Sequence, residues 1–136
     1  GAHGVALLSR NDTVTAFDRN PGWGDTSCQT FCGDIEDEHM LRRALHDSNP
    51  DIIVHCAAMT TVDDCEANST AAYEANVGLP RRIIALMSPS TLFVYISTDA
   101  VFDGSKQHWM EEDTPNPINA YGRTKLQGEQ LVVMIH

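Results

Sequence analysis

The sequence predicts an α/β fold, a doubly wound parallel sheet with helices on both faces. Short apolar runs alternate with segments of helical periodicity, as in consecutive β-α-β units. One run is apolar almost throughout, like a strand buried on both faces of a parallel sheet. The chain of 136 residues is 42% hydrophobic and 21% charged, which predicts one domain, residues 1–136, with one core.

Composition and periodicity indicate the first strand and helix. The run TVTAFDR, residues 13–19, is rich in β-branched residues, and the turn-rich PGWGDTS follows it. The segment EDEHMLRRALHDSNP, residues 36–50, has acids in its first turn and stops at Asn49-Pro50. We expect an amphipathic helix here, because four apolar residues share one face: Met40, Leu41, Ala44 and Leu45.

The central part of the chain continues this alternation. DIIVHCAA, residues 51–58, is the almost continuously apolar run, and we expect a strand buried on both faces. Residues 63–87 have helical periodicity, with a kink or break expected at Pro80.

The remainder predicts one more strand, a long loop and a helix. TLFVYIS, residues 91–97, is the third clear strand. Residues 103–119 are rich in Gly, Pro and Asn, and loops of this length are often functional. A helix is expected from Ala120 onward. The resulting order is strand, helix, strand, helix, strand, loop, helix.

Charge and cysteine content exclude several classes of partner. Nine Lys and Arg against 19 Asp and Glu give a net charge of −10, which repels nucleic acid and anionic membranes. No apolar run approaches the roughly 20 residues that span a bilayer, and no leader opens the chain, so we expect a cytoplasmic protein. The cysteine spacing matches no zinc ribbon or finger, and no metal is expected: Cys28, Cys32, Cys56 and Cys65.

The carboxyl ends of the strands are where ligands bind in open α/β sheets. Asp18 ends the first strand, where a carboxylate accepts hydrogen bonds from an adenosine ribose or simply initiates a turn. CGDI, residues 32–35, follows a weak apolar patch. CAAMT, residues 56–60, ends the central run with small residues that either admit a ligand to the backbone or serve packing.

The sharpest pattern is YISTDAVFDG followed, after the loop, by AYGRTK. Tyr121 and Lys125 are four residues apart on a predicted helix, so their functional groups can converge. A nearby ammonium favours the phenolate form of a tyrosine, which proton exchange near neutral pH requires. A hydroxyl of Ser97 or Thr98 could bond the same substrate oxygen. Alone, such a Tyr/Lys pair usually lies on a solvated surface, but here it follows a suitable strand end.

Together these residues resemble the extended short-chain dehydrogenase/reductase superfamily. STDAVFDG and YGRTKLQGE are similar to the STDYVFDG and YGKTKLxGE patterns of the dTDP-4-dehydrorhamnose reductase family, over residues 13–131. The resemblance implies an NAD(P)-binding Rossmann-like domain and reduction of a 4-keto nucleotide sugar, as in dTDP-rhamnose biosynthesis, with NADH or NADPH as hydride donor. A homodimer is one assembly open to such a protein.

The resemblance also implies site residues. Thr98 would bond the substrate carbonyl, Tyr121 would protonate its oxygen, and Lys125 would hold the nicotinamide ribose and assist Tyr121. Asp99 would lie beside the sugar. Besides Tyr121 and Lys125, three groups of residues would bind the cofactor. The pyrophosphate loop would contain His3, Gly4 and Val5, and the adenosine would be bound by Asp18, Asp34 and Ile35. The nicotinamide side would be lined by Ala58, Met59 and Thr60.

Some positions depart from the family pattern. Ala100 replaces the usual aromatic residue, and Leu7 stands where a third glycine is expected. No strand precedes Gly1, the first helix has few residues available, and the chain stops eleven residues after Lys125, so we expect a fragment of a longer protein. Two alternatives therefore stay open: a non-catalytic dinucleotide-binding subunit resembling the methionine adenosyltransferase β subunit, and a nucleotide-sugar epimerase or dehydratase.

Overall fold

A computed structural model describes residues 12–19 and 28–134. Strands and helices alternate along these residues, which confirms the predicted α/β class. A π-helical turn, Glu74–Gly78, precedes α4, and a 3-10 turn, Asp99–Val101, follows β4. The strands are β1 (Thr15–Asp18), β2 (Gln29–Cys32), β3 (Ile52–His55) and β4 (Leu92–Tyr95), and the helices are α1 (Glu38–Ser48), α2 (Val62–Ala67), α3 (Ser69–Tyr73), α4 (Leu79–Leu86) and α5 (Ala120–Val133).

The described strands form two parallel pairs, β1 with β2 and β3 with β4. The chain divides into two compact units, of which the first holds β1, β2 and α1. The second unit comprises Ile52–Ala85 and Ser90–His136. Parallel pairing of this kind is typical of a doubly wound sheet. No helix among the described residues is long and apolar enough to cross a membrane.

Helix α1 forms as predicted. The Asp37 side chain caps its first turn, accepting hydrogen bonds from the backbone N–H groups of His39 at 2.9 Å and Met40 at 3.3 Å. The helix ends at Asn49, whose left-handed backbone, with φ of 39°, is a common helix terminus. Leu41 and Ala44 are buried on the predicted apolar face.

The expectation of one helix over residues 63–87 with a break at Pro80 is wrong in its details. The helix is interrupted earlier, at Asn68, whose side chain accepts a hydrogen bond from Ala71 N–H at 3.0 Å and so starts α3. The π-helical turn Glu74–Gly78 then leads directly into α4. Pro80 lies in the first turn of α4, where a residue without an N–H is tolerated.

Two strand predictions are also corrected. Strand β2 is absent from the predicted order, because only four residues form it and their composition is mixed. Strand β3 is not buried on both faces within the second unit, since Ile52 and Val54 are 56% and 47% exposed. Packing covers only the opposite face, where His55 is buried beside Phe93.

Candidate active site

The candidate active site of the second unit depends on the start of α5. The Asn119 side chain caps this helix, accepting a hydrogen bond from Gly122 N–H at 2.7 Å. The Glu66 carboxylate of α2 accepts a hydrogen bond from Ala120 N–H at 2.5 Å. The Arg123 guanidinium lies 3.2 Å from the same carboxylate. An acidic side chain is favourable at this positive end of the helix dipole. These contacts fix the turn that carries Tyr121.

A close approach places this turn against the residues that follow β4. A Cβ at Gly122 would lie well inside van der Waals distance of the Ala100 carbonyl oxygen and 2.9 Å from Cβ of Pro117. Only glycine lets the helix lie this close to the 3-10 turn Asp99–Val101. Tyr121, the neighbour of Gly122, is thereby held beside the segment that contains Thr98.

Lys125 is buried, which is unusual for a lysine, and only 3% of its surface is exposed. Its Nζ donates a hydrogen bond to the Ile96 carbonyl oxygen at 2.5 Å and lies 3.9 Å from the centroid of the Tyr95 ring. Burial lowers the pKa of Lys125, and the nearby Glu129 and Cys56 act in the opposite direction. The predicted surface alternative for the Tyr/Lys pair therefore does not apply to Lys125.

Tyr121 is half-buried one turn before Lys125. Its ring packs with Met59 against the buried cluster of Cys65, Ala72 and Ala120. Among the described residues, its hydroxyl makes no hydrogen bond.

The two hydroxyls considered for the substrate oxygen differ in the structure. Ser97 donates a short hydrogen bond to the Glu129 carboxylate on α5. Thr98 Oγ1 accepts from Ala100 N–H at 3.2 Å and donates to the Asp99 carboxylate at 3.3 Å, which is long for an O–H donor. The hydrogen bond donated by the Thr98 hydroxyl is therefore the weaker of the two, and the role of Thr98 in substrate binding stays a prediction.

Asn76 is a residue of this site that the sequence analysis missed. Its fully buried amide pairs with the backbone of Met59, accepting from the N–H at 2.8 Å and donating to the carbonyl oxygen at 3.0 Å. It also donates to Thr124 Oγ1 at 2.9 Å. The amide thus fixes the CAAMT segment, which carries the predicted Ala58, Met59 and Thr60, against α5.

Pro80 is the feature of the sequence that could have drawn attention to Asn76, because it leaves the Asn76 carbonyl without its usual helical donor. A proline has no N–H to donate to the carbonyl four residues earlier, which here belongs to Asn76. The Tyr95 hydroxyl donates to that carbonyl instead, at 2.9 Å. Burial raises the pKa of Tyr95, as does the Glu129 charge, so this hydroxyl stays protonated.

His55 is a second buried polar residue near Lys125, and it is 4% exposed. Its ring stacks on those of Phe93 and Tyr95, with centroids 5.7 and 5.9 Å away. Burial lowers its pKa from 6.5 to about 4, the Lys125 charge adds to this effect, and a hydrogen bond with the Ala57 backbone opposes it. The imidazole is therefore neutral at pH 7.

We expect this neutral histidine to make the protein acid-sensitive. Its pKa is lower in the folded than in the unfolded chain, so the unfolded chain binds the extra proton as the pH falls from 6.5 to 4. Over that window the wild type should lose about 3 kcal/mol of unfolding free energy that His55→Phe keeps. Urea unfolding of both proteins across the window measures this, and parallel curves would contradict it.

The adenosine-side residues lie in the first unit. Asp18 ends β1 in register with Cys32 of β2 and is half-buried, and Gly33 N–H donates to its carbonyl oxygen at 3.1 Å. Asp34 is exposed, and its pKa is lowered by the hydrogen bond from Glu36 N–H and then by Arg19, whose guanidinium lies 3.1 Å away. The carboxyl ends of β1 and β2 thus bring these residues together, with the half-buried Ile35 next in sequence.

The remaining predictions concern the pyrophosphate loop, Asp99 and metal binding. His3, Gly4 and Val5, predicted at the pyrophosphate loop, lie outside the described residues. Asp99 is exposed beside Thr98. In the part of the chain that the structure describes, no three His, Cys, Asp or Glu residues come together as a metal site would require.

The curated relatives include a methionine adenosyltransferase subunit and a nucleotide-sugar reductase. Methionine adenosyltransferase 2 subunit beta of Rattus norvegicus is 41% identical over 98 residues, which are 71% of this chain and 29% of that protein. The dTDP-4-keto-6-deoxy-D-glucose reductase of Streptomyces niveus is 41% identical over 102 residues, which are 74% of this chain and 35% of that protein. The chain thus spans about a third of the length of these relatives.

Solved structures have the same fold. A hypothetical dTDP-4-dehydrorhamnose reductase from Sulfolobus tokodaii is 37% identical with a TM-score of 0.79, covering 96% of this chain and 49% of that one. The dTDP-4-dehydrorhamnose reductase of Bacillus anthracis in complex with NADP is 35% identical with a TM-score of 0.71, covering 81% and 41%. MoeE5 in complex with UDP-glucose and NAD is 27% identical with a TM-score of 0.86, covering 99% and 45%.

These likenesses confirm the predicted Rossmann-like fold and the relationship to dTDP-4-dehydrorhamnose reductases within the extended short-chain dehydrogenase/reductase superfamily. The family described as the RmlD substrate binding domain matches residues 2–136, almost the entire chain. The chain therefore belongs to the RmlD substrate binding domain family.

Proposed function

We propose that the protein reduces a 4-keto nucleotide sugar with NADH or NADPH as hydride donor. The observation that carries the proposal is that Tyr121 and the buried Lys125 lie one turn apart on α5, with no described residue hydrogen-bonded to the Tyr121 hydroxyl. The reductase from Streptomyces niveus and the NADP complex from Bacillus anthracis support the reaction class and the cofactor class. Dinucleotide binding by residues 1–136 as one domain is part of this proposal.

Residues of each unit, taken separately, suit one part of a nicotinamide dinucleotide. The Asp18 carboxylate at the end of β1 is an acceptor suited to ribose hydroxyls. Lys125 has three donor hydrogens and uses one on Ile96, which leaves donors for a second ribose. A carboxylate at Asp18 repels a 2′-phosphate and favours NAD, while Arg19 keeps NADP open because its pairs with Asp34 and Glu36 are exposed and weak.

The chain's own residues supply the proton and the orientation. A bound reduced nicotinamide would deliver the hydride to the carbonyl carbon of the substrate. Thr98 would donate a hydrogen bond to the carbonyl oxygen, exchanging its long bond to Asp99. Tyr121 would transfer its hydroxyl proton to that oxygen as negative charge develops there. Lys125 would stabilise the phenolate left on Tyr121, because its charge is shielded from water.

A regulatory subunit is the second candidate function, and the 41% identity to methionine adenosyltransferase 2 subunit beta favours it. Such a protein would bind a dinucleotide and a partner enzyme without turnover. Ala100, in place of the usual aromatic residue, favours the regulatory subunit, whereas proton transfer from Tyr121 is needed only by the reductase.

One assay separates the two functions. We expect the purified protein to oxidise NADH or NADPH when given a dTDP- or UDP-linked 4-keto sugar, monitored at 340 nm, and to release the reduced sugar nucleotide. A binding-only protein would change nicotinamide fluorescence without consuming the cofactor and would retain a partner enzyme in a pull-down. Cofactor binding without oxidation of any keto sugar in the panel would overturn the reductase proposal.

A further inference from the structure

We propose that Glu129 is a positioning residue of the candidate active site, holding Ser97 against α5 and placing a negative charge one helical turn from the buried Lys125 ammonium. The catalytic consequence of this role rests on the proposed reductase function. The contacts of Glu129 and its effect on the charge of Lys125 do not depend on that function, because they concern only residues of the second unit.

Two hydrogen bonds join α5 to the segment that leaves β4. Lys125 Nζ donates to the Ile96 carbonyl oxygen at 2.5 Å. One helical turn later, the Glu129 carboxylate accepts the hydroxyl of Ser97, the next residue along the segment. Two side chains on one face of α5 therefore hold Ile96 and Ser97, the two residues before Thr98. These contacts fix the position of the backbone from which the Thr98 side chain extends.

The charges around Lys125 single out Glu129. The titratable groups that face the Lys125 ammonium are Glu129 one turn along α5, Cys56 and His55 from the β3 side, and Tyr95 from β4. His55 is neutral at pH 7, since burial lowers its pKa to about 4. Burial raises the pKa of Tyr95, which is therefore neutral as well. Glu129 is the carboxylate among these groups.

A buried ammonium without an anionic partner is costly, and it tends to lose its proton. Burial lowers the pKa of Lys125, and Glu129 is the first of the groups that raise it. Tyr95 keeps its hydroxyl proton and cannot replace a carboxylate. Glu129 thus favours the protonated lysine at the pH where the reaction would take place.

The test compares Glu129→Gln, which removes the charge but keeps an acceptor, with Ser97→Ala, which removes the hydrogen bond but keeps the charge. Glu111→Gln is the matched control, since Glu111 is exposed and its side chain makes no ion pair with any described residue. Unfolding free energies are measured in urea from pH 7 to 10.5.

The expected signature depends on pH. The pKa of Lys125 is lower in the folded than in the unfolded chain, so stability rises as the pH approaches 10.5. In Glu129→Gln this rise in unfolding free energy should begin at lower pH, because the pKa of Lys125 falls further without the Glu129 charge. Glu129→Gln should therefore be less stable than Glu111→Gln at pH 7, and the difference should shrink at alkaline pH. Ser97→Ala should lose the same stability at every pH. Glu129→Asp, which keeps the charge, should restore the wild-type pH dependence.

The reaction supplies the second readout. The alkaline limb of kcat/KM for NADH oxidation should move to lower pH in Glu129→Gln and stay in place in Ser97→Ala. A wild type that oxidises no NADH would overturn the proposed function, while the unfolding curves would still decide the role of Glu129. Identical pH dependence in Glu129→Gln and Glu111→Gln would overturn that role. If Glu129→Gln does not fold at pH 7, recovery above pH 9 supports the role and failure there contradicts it.

Discussion

Replacing Tyr121 by phenylalanine is expected to lower the turnover of NADH oxidation by at least about 100-fold, because the substrate oxygen loses its proton donor. Cofactor affinity should stay nearly unchanged. The ring packs with Met59 against Cys65 and Ala72, and phenylalanine keeps this packing, so only the hydroxyl is lost. Steady-state kinetics at 340 nm and a nicotinamide fluorescence titration measure the two quantities.

Tyr73→Phe is the control for this substitution. Tyr73 also loses a hydroxyl, one that accepts a 3.3 Å hydrogen bond from Arg81. We expect wild-type turnover from this variant. Equal turnover in Tyr121→Phe, Tyr73→Phe and the wild type would remove Tyr121 from the mechanism, and a parallel loss of cofactor affinity in Tyr121→Phe would assign it a binding role instead.

Gly122→Ala is expected to destabilise the protein by about 3 kcal/mol, since it forces a Cβ onto the Ala100 carbonyl oxygen. The obstacle is backbone held by the 3-10 turn Asp99–Val101, and it cannot rotate away as a side chain can. The same displacement would move Tyr121 away from Thr98, so the folded fraction should also lose activity. Urea unfolding and specific activity per folded molecule measure both effects.

Gly78→Ala is the matched control in a second helical segment. The atoms nearest to its new Cβ would be those of the Glu74 carboxylate, the far end of a flexible side chain that can move. An alanine is favoured over a glycine inside a helix by about 1 kcal/mol, so we expect no loss of stability. Equal stability of Gly122→Ala and Gly78→Ala would show that α5 does not need the close approach at Ala100.

Local sequence patterns were sufficient for those parts of the fold that depend on near neighbours. The apolar face of α1, its acidic start and its end at Asn49 follow from residues within one or two helical turns. The pairing of Tyr121 with Lys125 on one helix face is likewise a consequence of their spacing. The roles of Asp18, Asp34, Thr98 and the other predicted site residues stay predictions.

The break at Asn68 and the strand β2 were not predictable from such patterns. Asn68 ends one helix and caps the next through its own side chain, and an asparagine within a helical pattern also fits an exposed helix position. Strand β2 has four residues, which is too few for a period of two to be recognised beside a turn-rich segment. Its parallel pairing with β1 compensates for the weak local preference.

The sequence by itself determined the α/β class, helix α1 and the placement of a tyrosine and a lysine on one helix face. Only the tertiary structure decided which groups surround that pair. Asn76 bonds Thr124, 48 residues away, and Ser97 bonds Glu129, 32 residues away. The physical reason is that periodicity records each residue's local geometry, whereas burial and charge pairing depend on the distant segments that folding brings together.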